Sequence, residues 1–334
     1  MKIFQNSEAF LQKQEGFFIF NPVQMITEIK TQLETKVKSI GQFVGKTPLF
    51  PIKNVFQKEG VQIFAKLEWQ QLGMSVKARP AYQIIKDAVL RGELTEGKHL
   101  LDASSGNTAI AYASIGAAIG VPVTICLPEN ASEERKTYLK ALGAELILTS
   151  RFGGTDDAQA VAKELAEQYP EKYYYADQYG NDSNWRAHYL TTSEEIYRQT
   201  NGLITHFVTG LGTTGTFTGN SRRLKELNPT IHLTSLEPNA AMHGLEGWKH
   251  LETAKVPAIY DPSIAHQNLE IDTYEACDLV KEVAHKEGLL ISPSAGANLV
   301  GAIKVAQQID EGIIVTVFAD DASKYGEVMK VVFQ

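Results

Sequence analysis

The residues with the clearest chemical signature lie in the stretch T-G-L-G-T-T-G-T-F-T-G, residues 209–219. Its glycines form the pattern G-x-G-x-x-G, which follows an apolar run typical of a strand and precedes a helical segment. Backbone N–H groups and the positive end of a helix make such a loop a phosphate-binding site. The pattern residues are Gly210, Gly212 and Gly215, and hydroxyl side chains stand beside them at Thr213, Thr214 and Thr216.

Two kinds of phosphate ligand are compatible with this loop. A dinucleotide is favoured by Glu237, which ends the next predicted strand, 22 residues after Gly215, where an acid that binds ribose is expected. A terminal phosphate monoester is favoured by the threonines, because its oxygens accept many hydrogen bonds at once. The loop alone leaves both open, together with a plain strand-to-helix turn capped by threonine.

Two other segments carry groups suited to amino-acid chemistry. Lys77 lies among small or apolar neighbours in G-M-S-V-K-A-R-P, residues 73–80, near the start of a helical segment. Burial would lower the pKa of its amine and make it available as a nucleophile. The stretch A-S-S-G-N-T, residues 103–108, offers hydroxyls and a glycine before a helix, which suits a carboxylate. Taken singly, the two segments are more simply a surface lysine and a helix cap.

The elements that must position these groups alternate in type along the chain. Apolar, β-branched runs predict strands at 121–127, 145–149, 172–176, 204–209, 231–237, 289–292 and 313–319. Helical periodicity predicts helices at 132–142, 156–168, 184–199, 216–227, 273–287 and 297–309. Asn21 and Pro22 predict the start of an N-terminal helix that continues to Ile40 and packs on the core or on a second subunit. This alternation predicts an α/β fold with parallel sheets covered on both faces.

Composition limits the class of protein. A length of 334 residues suggests about two domains, and 43% hydrophobic with 21% charged residues is typical of a globular protein. The net charge of −7, without a basic cluster, argues against nucleic acid or an anionic membrane as a partner. The uncharged run 103–128 is long enough to span a bilayer, but its serines, glycine and proline favour a buried helix and strand.

Cysteines and histidines add two expectations. Cys126 and Cys277 lie in apolar surroundings outside any C-x-x-C pattern, which predicts buried free thiols in a reducing compartment, the cytoplasm. No signal peptide is expected from the N-terminal sequence. The eight histidines are scattered without metal-ligand spacing, so no metal site is expected and His188, His206 and His243 are interpreted as structural.

Five motifs occur in one order along the chain: K-T-P-L (46–49), S-V-K-A-R-P (75–80), S-S-G-N-T (104–108), G-T-T-G-T (212–216) and P-S-A-G (293–296). With this set the chain resembles the pyridoxal-phosphate enzymes of the cysteine synthase and cystathionine β-synthase family, of tryptophan synthase β-like fold (fold type II). The resemblance covers about residues 40–325. N-W-R-A-H-Y-L-T-T (184–192) and H-G-L-E-G (243–247) are most similar to the cysteine synthase branch.

The resemblance implies two open, twisted, mostly parallel sheets flanked by helices, with the active site between two domains. Residues 71–181 would form the smaller N-terminal α/β domain, and 41–70 with 182–334 the larger C-terminal one. Residues 1–40 would be an N-terminal extension with a helix. A cytoplasmic homodimer is also implied.

Site residues are implied position by position. Lys77 matches the Schiff-base lysine, Asn107 the partner of the cofactor 3′-oxygen, and Ser294 the serine at the pyridine nitrogen. The phosphate-binding positions are Gly212, Thr213, Thr214, Gly215 and Thr216. The positions that hold the substrate carboxylate are Ser104, Ser105, Gly106, Thr108 and Gln178.

Some positions depart from the family pattern. Leu72, Gly73 and Met74 replace the usual lead-in to the lysine, Thr214 stands where glycine is usual, and Ala109 replaces a common glycine. Ala78 replaces the usual aspartate and is expected to leave a neighbouring cation, Arg79, without its partner. Asp320 and Asp321, after the last strand, could lie near the pyridine side of the cofactor, but they are interpreted as solvated loop charges. These changes leave substrate choice more open than cofactor binding.

The implied reaction is β-replacement: L-cysteine is made from an activated serine, such as O-acetylserine, and a sulfur donor through an aminoacrylate intermediate. Within the family, cystathionine synthesis, diaminopropionate synthesis and serine or threonine dehydration stay open. An NAD-binding oxidoreductase is an alternative of a different class, and a regulatory protein that binds the cofactor without turnover is another.

Overall fold

The computed structural model describes residues 32–334. The strands are β1 (Leu49–Ile52), β2 (Val61–Leu67), β3 (His99–Ala103), β4 (Val123–Pro128), β5 (Glu145–Thr149), β6 (Tyr173–Tyr175), β7 (His206–Gly210), β8 (His232–Pro238), β9 (Gln267–Ile271) and β10 (Gly312–Phe318). The helices are α1 (32–40), α2 (Ala78–Arg91), α3 (Asn107–Ile119), α4 (Glu133–Ala141), α5 (Gly154–Gln168), α6 (Asp182–Ala187), α7 (Ser193–Gln199), α8 (Gly215–Leu227), α9 (Thr273–Glu287), α10 (Pro293–Gln307) and α11 (Gly326–Val332).

These strands form two sheets within the described range. A six-stranded sheet has the order β1-β2-β10-β7-β8-β9, and a four-stranded sheet has the order β5-β4-β3-β6. The β1–β2 pair is antiparallel, whereas the other neighbours run parallel. The α/β fold with two mostly parallel sheets is therefore confirmed. The strands of the smaller sheet all lie between residues 99 and 175, and the domain boundaries at 71 and 181 stay a prediction.

Each sheet is buried by helices on both faces, which explains the continuous apolar runs in its strands. On the six-stranded sheet, Val280 of α9 and Leu299 of α10 belong to the core of one face, and Phe217 of α8 to the core of the other. On the four-stranded sheet, Ile115 of α3 and Ala162 of α5 lie in separate cores. Burying one such aliphatic or aromatic side chain contributes about 1.5–3 kcal/mol.

The uncharged run 103–128 forms the end of β3, all of α3 and then β4. α3 is buried along most of its length because its side chains are mainly alanine and isoleucine. A side chain at Gly116 would meet the carbonyl of Val121 at 2.7 Å, so the helix can turn directly into β4 only with glycine there. Across residues 32–334, the longest apolar helices still fall short of what a membrane span requires.

Several predicted elements differ in the structure. The predicted strand at 289–292 is wrong: only Ile291 is paired, in an isolated bridge with Asp321. The predicted helix at 184–199 lies within a run in which α6 and α7 are separated by a π-helical turn, His188–Thr192. α10 begins at Pro293, earlier than predicted, because the hydroxyl of Ser292 accepts the N–H of Ala295 and caps the helix.

Other expectations concern the chain start and the thiols. Residues 32–40 are helical as predicted, whereas the cap predicted at Asn21 and Pro22 lies outside the described residues. Cys126 is buried in β4, but Cys277 is only half-buried on α9, and both are free thiols. β1, β2, β3 and β9 were not predicted. β9 carries no uniform apolar run because it is an edge strand whose first four side chains alternate between half-buried and exposed positions.

Candidate active site

A cavity of about 340 Å³ lies between the two sheets, at the carboxyl ends of β3, β7 and β10. This is the position in which open parallel sheets bind ligands. Of the thirteen predicted site residues, twelve line the cavity: Lys77, Ser104, Ser105, Gly106, Asn107, Thr108, Gln178, Gly212, Thr213, Thr214, Thr216 and Ser294. The exception is Gly215. The fold thus brings together segments that are separated by more than 200 residues in the sequence.

Helix N-termini converge on this cavity. α2 begins directly after Lys77, α3 begins at Asn107, and α8 follows Thr214. Ser294 lies in the first turn of α10. The positive ends of these helix dipoles therefore lie at the cavity and favour an anionic ligand.

Lys77 is fixed next to the end of β10. The preceding residue, Val76, donates its N–H to the carbonyl of Ala319 at 2.7 Å. Burial lowers the pKa of the Lys77 amine, and the nearby Asp320 carboxylate partly opposes this by favouring the ammonium form. Lys77 is therefore held as an amine with reduced proton affinity, which is the state a nucleophile needs.

The threonine loop has an unusual backbone. Thr214 has a φ of 68°, a left-handed conformation that is costly for a β-branched residue. Its hydroxyl is buried and makes no hydrogen bond within residues 32–334. The hydroxyl of Thr216 lies 3.3 Å from Nε2 of His188, whose pKa is kept well below its usual value by burial and by the nearby Arg79 and Lys77. The loop thus carries a buried, unused hydroxyl at Thr214 and, at Thr216, a hydroxyl beside a neutral imidazole.

Two glycines of the loop are required by neighbouring parts of the chain. A Cβ at Gly212 would lie 2.0 Å from the carbonyl oxygen of Gly247. A Cβ at Gly215 would lie 2.0 Å from the side-chain oxygen of Asn184, which explains why Gly215 faces α6 instead of the cavity. The glycine pattern therefore reflects close packing inside the protein.

The loop at 104–108 is held by the segment after β6. The hydroxyl of Thr108 donates to Oε1 of Gln178 at 2.7 Å, and Nε2 of Gln178 donates to the carbonyl of Ala103 at 3.0 Å. Asn184 connects this segment to the threonine loop, because its Nδ2 donates to the carbonyl of Gln178 at 2.6 Å and to the hydroxyl of Thr213 at 3.0 Å. The two predicted binding loops thus share one scaffold.

Asp320 was interpreted from the sequence as a solvated loop charge, and this is wrong. Its side chain is fully buried and lines the cavity. Oδ2 accepts hydrogen bonds from Nδ2 of Asn107 at 2.7 Å and from the hydroxyl of Tyr325 at 2.6 Å. Asp321, by contrast, is half-buried and caps the short turn that follows by accepting the N–H of Ser323. The two aspartates differ in burial because the chain leaving β10 places the side chain of Asp320 in the cleft.

Arg79 does not lack a partner, contrary to the expectation drawn from Ala78. Its guanidinium is buried and bonded to the carboxylates of Glu68 and Glu195, at distances of 2.6–2.9 Å. These carboxylates hold the guanidinium fully charged by raising its pKa further above the ordinary value. The residue directly after β2 and a residue of α7 supply the two carboxylates, so the aspartate usual at position 78 is unnecessary for this cation.

Sequence reasoning missed the charged groups at the cavity mouth. Arg135 of α4 forms an ion pair with Glu246, and Lys249 lies 3.9 Å from Asp156 and 5.0 Å above the ring of Tyr179. Both pairs connect helices on the smaller sheet with the segment after β8. Glu246 lies in the motif H-G-L-E-G, but no local signal indicated its partner.

Glu237, the acid whose position in the sequence favours a dinucleotide, forms hydrogen bonds away from the cavity. Glu237 ends β8, and its carboxylate accepts hydrogen bonds from the backbone of Leu251 at 3.1 Å and from Asn268 at 2.7 Å. It does not contribute to the cavity lining. The geometry therefore favours a single phosphate over a dinucleotide at the threonine loop.

Known proteins are similar to this chain in sequence and in fold. The family model described as "Pyridoxal-phosphate dependent enzyme" matches residues 40–320. Cysteine synthase from Aquifex aeolicus (strain VF5) is 45% identical over 295 residues, which cover 86% of this chain and 90% of that protein. Cysteine synthase B from Escherichia coli (strain K12) is 35% identical, with 86% and 94% covered.

Solved structures agree with the sequence comparison. Cysteine synthase from Entamoeba histolytica superposes with a TM-score of 0.81 at 31% identity, covering 86% of this chain and 88% of that one. The O-acetylserine dependent cystathionine beta-synthase from Helicobacter pylori superposes with a TM-score of 0.80 at 31% identity, covering 86% and 96%. The matched range includes Lys77, the threonine loop and Ser294, and the chain accordingly belongs to the family of pyridoxal-phosphate dependent enzymes.

Proposed function

We propose that this chain catalyses pyridoxal-phosphate-dependent β-replacement and makes L-cysteine from O-acetylserine, or a similarly activated serine, and a sulfur donor. The observation that carries the proposal is the meeting of Lys77, the threonine loop and the loop at 104–108 in one cavity. The names of the relatives from Aquifex aeolicus and Entamoeba histolytica support it.

The residues present fit the cofactor. The buried hydroxyl of Thr214, which lacks a hydrogen-bond partner in the described chain, suits a phosphate oxygen at the start of α8. Asn107 would bind the 3′-oxygen and Ser294 the pyridine nitrogen. Lys77 would form the covalent bond, because its lowered pKa leaves more of the reactive neutral amine.

The chain's own groups would then bind the substrate and move its proton. The hydroxyls and N–H groups at 104–108 would hold the substrate carboxylate in one orientation. When bound, the cofactor supplies an electron sink for the charge that develops at the α-carbon. The freed amine of Lys77 would act as the general base that accepts the α-proton. A hydroxyl at Ser294 cannot hold a full positive charge on the pyridine nitrogen as a carboxylate would, which favours loss of the β-leaving group over transamination.

The test is a product assay with the cofactor-loaded protein. O-Acetylserine and sulfide are supplied, and cysteine and acetate are measured by mass spectrometry. Parallel reactions replace O-acetylserine with O-phosphoserine or serine, and sulfide with homocysteine. We expect cysteine to form with O-acetylserine and sulfide, and Lys77→Ala to abolish it. Formation of cystathionine without cysteine would reassign the reaction to the cystathionine-forming branch, and NADH binding would contradict the family chemistry.

The role of Lys77 has a direct chemical test. Borohydride reduction of the loaded protein, followed by peptide mapping, should place the cofactor on Lys77. Modification of another lysine would overturn the assignment of the site.

We also propose that the protein is a homodimer in the cytoplasm. The family resemblance supports the dimer, and the two unpaired thiols, Cys126 and Cys277, suit a reducing compartment. Light scattering coupled to size-exclusion chromatography would test the dimer, and fractionation of cells would test the location.

A further inference from the structure

Asp320 holds an unusual position for a carboxylate. It is fully buried, lines the cavity and stands directly after Ala319, to which the segment bearing Lys77 is hydrogen-bonded. Burying a carboxylate is costly unless its oxygens are bonded and its charge is balanced. Hydrogen bonds satisfy only one of the two carboxylate oxygens. Oδ2 accepts from Asn107 and Tyr325, whereas Oδ1 has no hydrogen-bond partner in the structure of residues 32–334.

Both bonds to Oδ2 fix neighbouring groups. Asn107 must present its Nδ2 to Asp320, which sets the orientation of its amide and leaves a second N–H for the cavity. The hydroxyl of Tyr325 must donate to the same oxygen, and the guanidinium of Arg135 lies 5.4 Å over the Tyr325 ring. The carboxylate is thus oriented by hydrogen bonds from two sides, and Oδ1 is buried without a donor from residues 32–334.

Within residues 32–334, three cations interact with this carboxylate. Lys77 faces it from the start of α2, Arg135 from α4, and Lys324 from the turn after β10. Two of these cations are already engaged: Arg135 pairs with Glu246, and the ammonium of Lys324 donates to the carbonyl of Met74 at 2.6 Å. His188, which also faces Lys77, is buried and kept neutral.

We propose that Asp320 is a positioning residue for the reaction: its carboxylate orients the amide of Asn107 and supplies the negative charge that balances a proton on Nζ of Lys77. The inference rests on the proposed function only in assigning Lys77 and Asn107 to the cofactor. When Lys77 accepts a proton from the substrate, the new positive charge lies in a buried cleft, and Asp320 is the fixed counter-charge. The negative charge of Asp320 favours the ammonium form of Lys77, as a counter-charge should.

The test compares neutral replacements at two adjacent positions in the cofactor-loaded enzyme. Asp320→Asn removes the buried charge with little change in shape, and Asp320→Ser is a second neutral variant in case the first does not fold. Asp321→Asn removes the same charge one residue further along, where the side chain only caps a turn. The absorbance of the bound cofactor is recorded from about pH 6 to about pH 10, because it reports the proton on the nitrogen of Lys77.

We expect both Asp320 variants to lose that proton at a pH about one unit lower than the parent, because an opposite charge has been removed. Asp321→Asn should follow the parent. In the cysteine assay, kcat of Asp320→Asn should fall about tenfold or more while KM for O-acetylserine changes little, since the substrate carboxylate site is intact. Unchanged spectra in both Asp320 variants, or an equal shift in Asp321→Asn, would overturn the proposal. Because the spectra require no turnover, a parent enzyme that makes no cysteine would contradict the proposed function alone.

Discussion

The guanidinium of Arg79 donates two parallel hydrogen bonds to the carboxylate of Glu68, from Nε to Oε2 at 2.6 Å and from Nη2 to Oε1 at 2.8 Å. Both side chains are at most 1% exposed. A second carboxylate, Glu195, bonds Arg79 and Lys66, so two cations and two anions are buried together two residues from Lys77. This cluster connects β2, α2 and α7 beneath the cavity and takes the place of a partner at position 78.

Removing one member of this cluster should lower the free energy of unfolding. Arg79→Met leaves Glu68 buried without its main partner, and we expect a loss of about 3–5 kcal/mol in the free energy of unfolding, measured by urea titration. The double variant Arg79→Met with Glu68→Gln should lose less than the sum of the two single variants, because it buries no orphan carboxylate. Additive losses would mean that the two groups do not interact.

The surface offers a matched control for that prediction. Arg91 and Glu93 form the same two-bond geometry at 2.8–2.9 Å, but their side chains are 48% and 46% exposed. Arg91→Met should cost at most about 1 kcal/mol, since exposed ion pairs are screened by water. A cost similar to that of Arg79→Met would show that burial is not the deciding factor.

Thr214 should lower the stability of the cofactor-free protein and raise its affinity for the cofactor. Its φ of 68° suits glycine, so Thr214→Gly should raise the unfolding free energy of the cofactor-free protein by about 1 kcal/mol. The same change removes the buried hydroxyl, and we expect the dissociation constant of the cofactor to rise about five- to tenfold. Thermal unfolding and fluorescence titration measure the two effects. Thr214→Ser keeps the hydroxyl and should bind as the parent does; equal weakening by both variants would contradict the role of the hydroxyl.

Arg135 should govern substrate affinity. It pairs with Glu246 across the cavity mouth, and its guanidinium lies 3.5 Å from the carbonyl of Ser105, in the loop proposed to hold the substrate carboxylate. Arg135→Gln should raise KM for O-acetylserine about five- to tenfold while kcat stays within about twofold. Arg151→Gln, on an exposed turn, is the control. A fall in kcat with unchanged KM would assign Arg135 to the chemical step instead.

A histidine cluster at the opposite end of the larger sheet should make stability depend on pH. The rings of His206 and His232 stack at 5.1 Å, and His266 lies 5.5 Å from His232. Burial, and then the nearby His232, lower the pKa of His206 to about 4. The unfolded chain therefore binds more protons between pH 6.5 and pH 4, and stability from His206 is present above this window and lost as the pH falls through it.

The measurement compares His206→Phe, which keeps a ring but cannot be protonated, with the parent. Between about pH 7 and about pH 5 the variant should lose on the order of 1 kcal/mol less stability than the parent, after allowance for the partial exposure of His206. The two proteins must be compared with each other because both contain Asp102. Burial raises the pKa of Asp102 to about 7, so its contribution to stability increases as the pH falls and opposes that of His206. His285→Phe, at an exposed position on α9, should show no such difference.

Much of the framework was predictable from local sequence. The alternation of apolar strands and helices predicted the α/β architecture, and β5 was predicted with its observed limits, 145–149. The prediction failed at 289–292, where the apolar run L-L-I-S lies after α9 and pairs only at Ile291. An apolar run alone cannot distinguish a strand from a buried connection, because burial is a property of the whole fold.

Within the site, the sequence alone determined the chemical groups: a lysine before a helix, a threonine-rich loop, and a serine near a helix start, in a fixed order. Only the tertiary structure decided which charges are buried. Asp320 and Asp321 are neighbours of the same type, yet β10 places the first inside the cleft with Asn107 and leaves the second at the edge of a turn. Burial and pairing depend on contacts between residues far apart in the chain, whereas local sequence specifies only the side chains that such contacts can use.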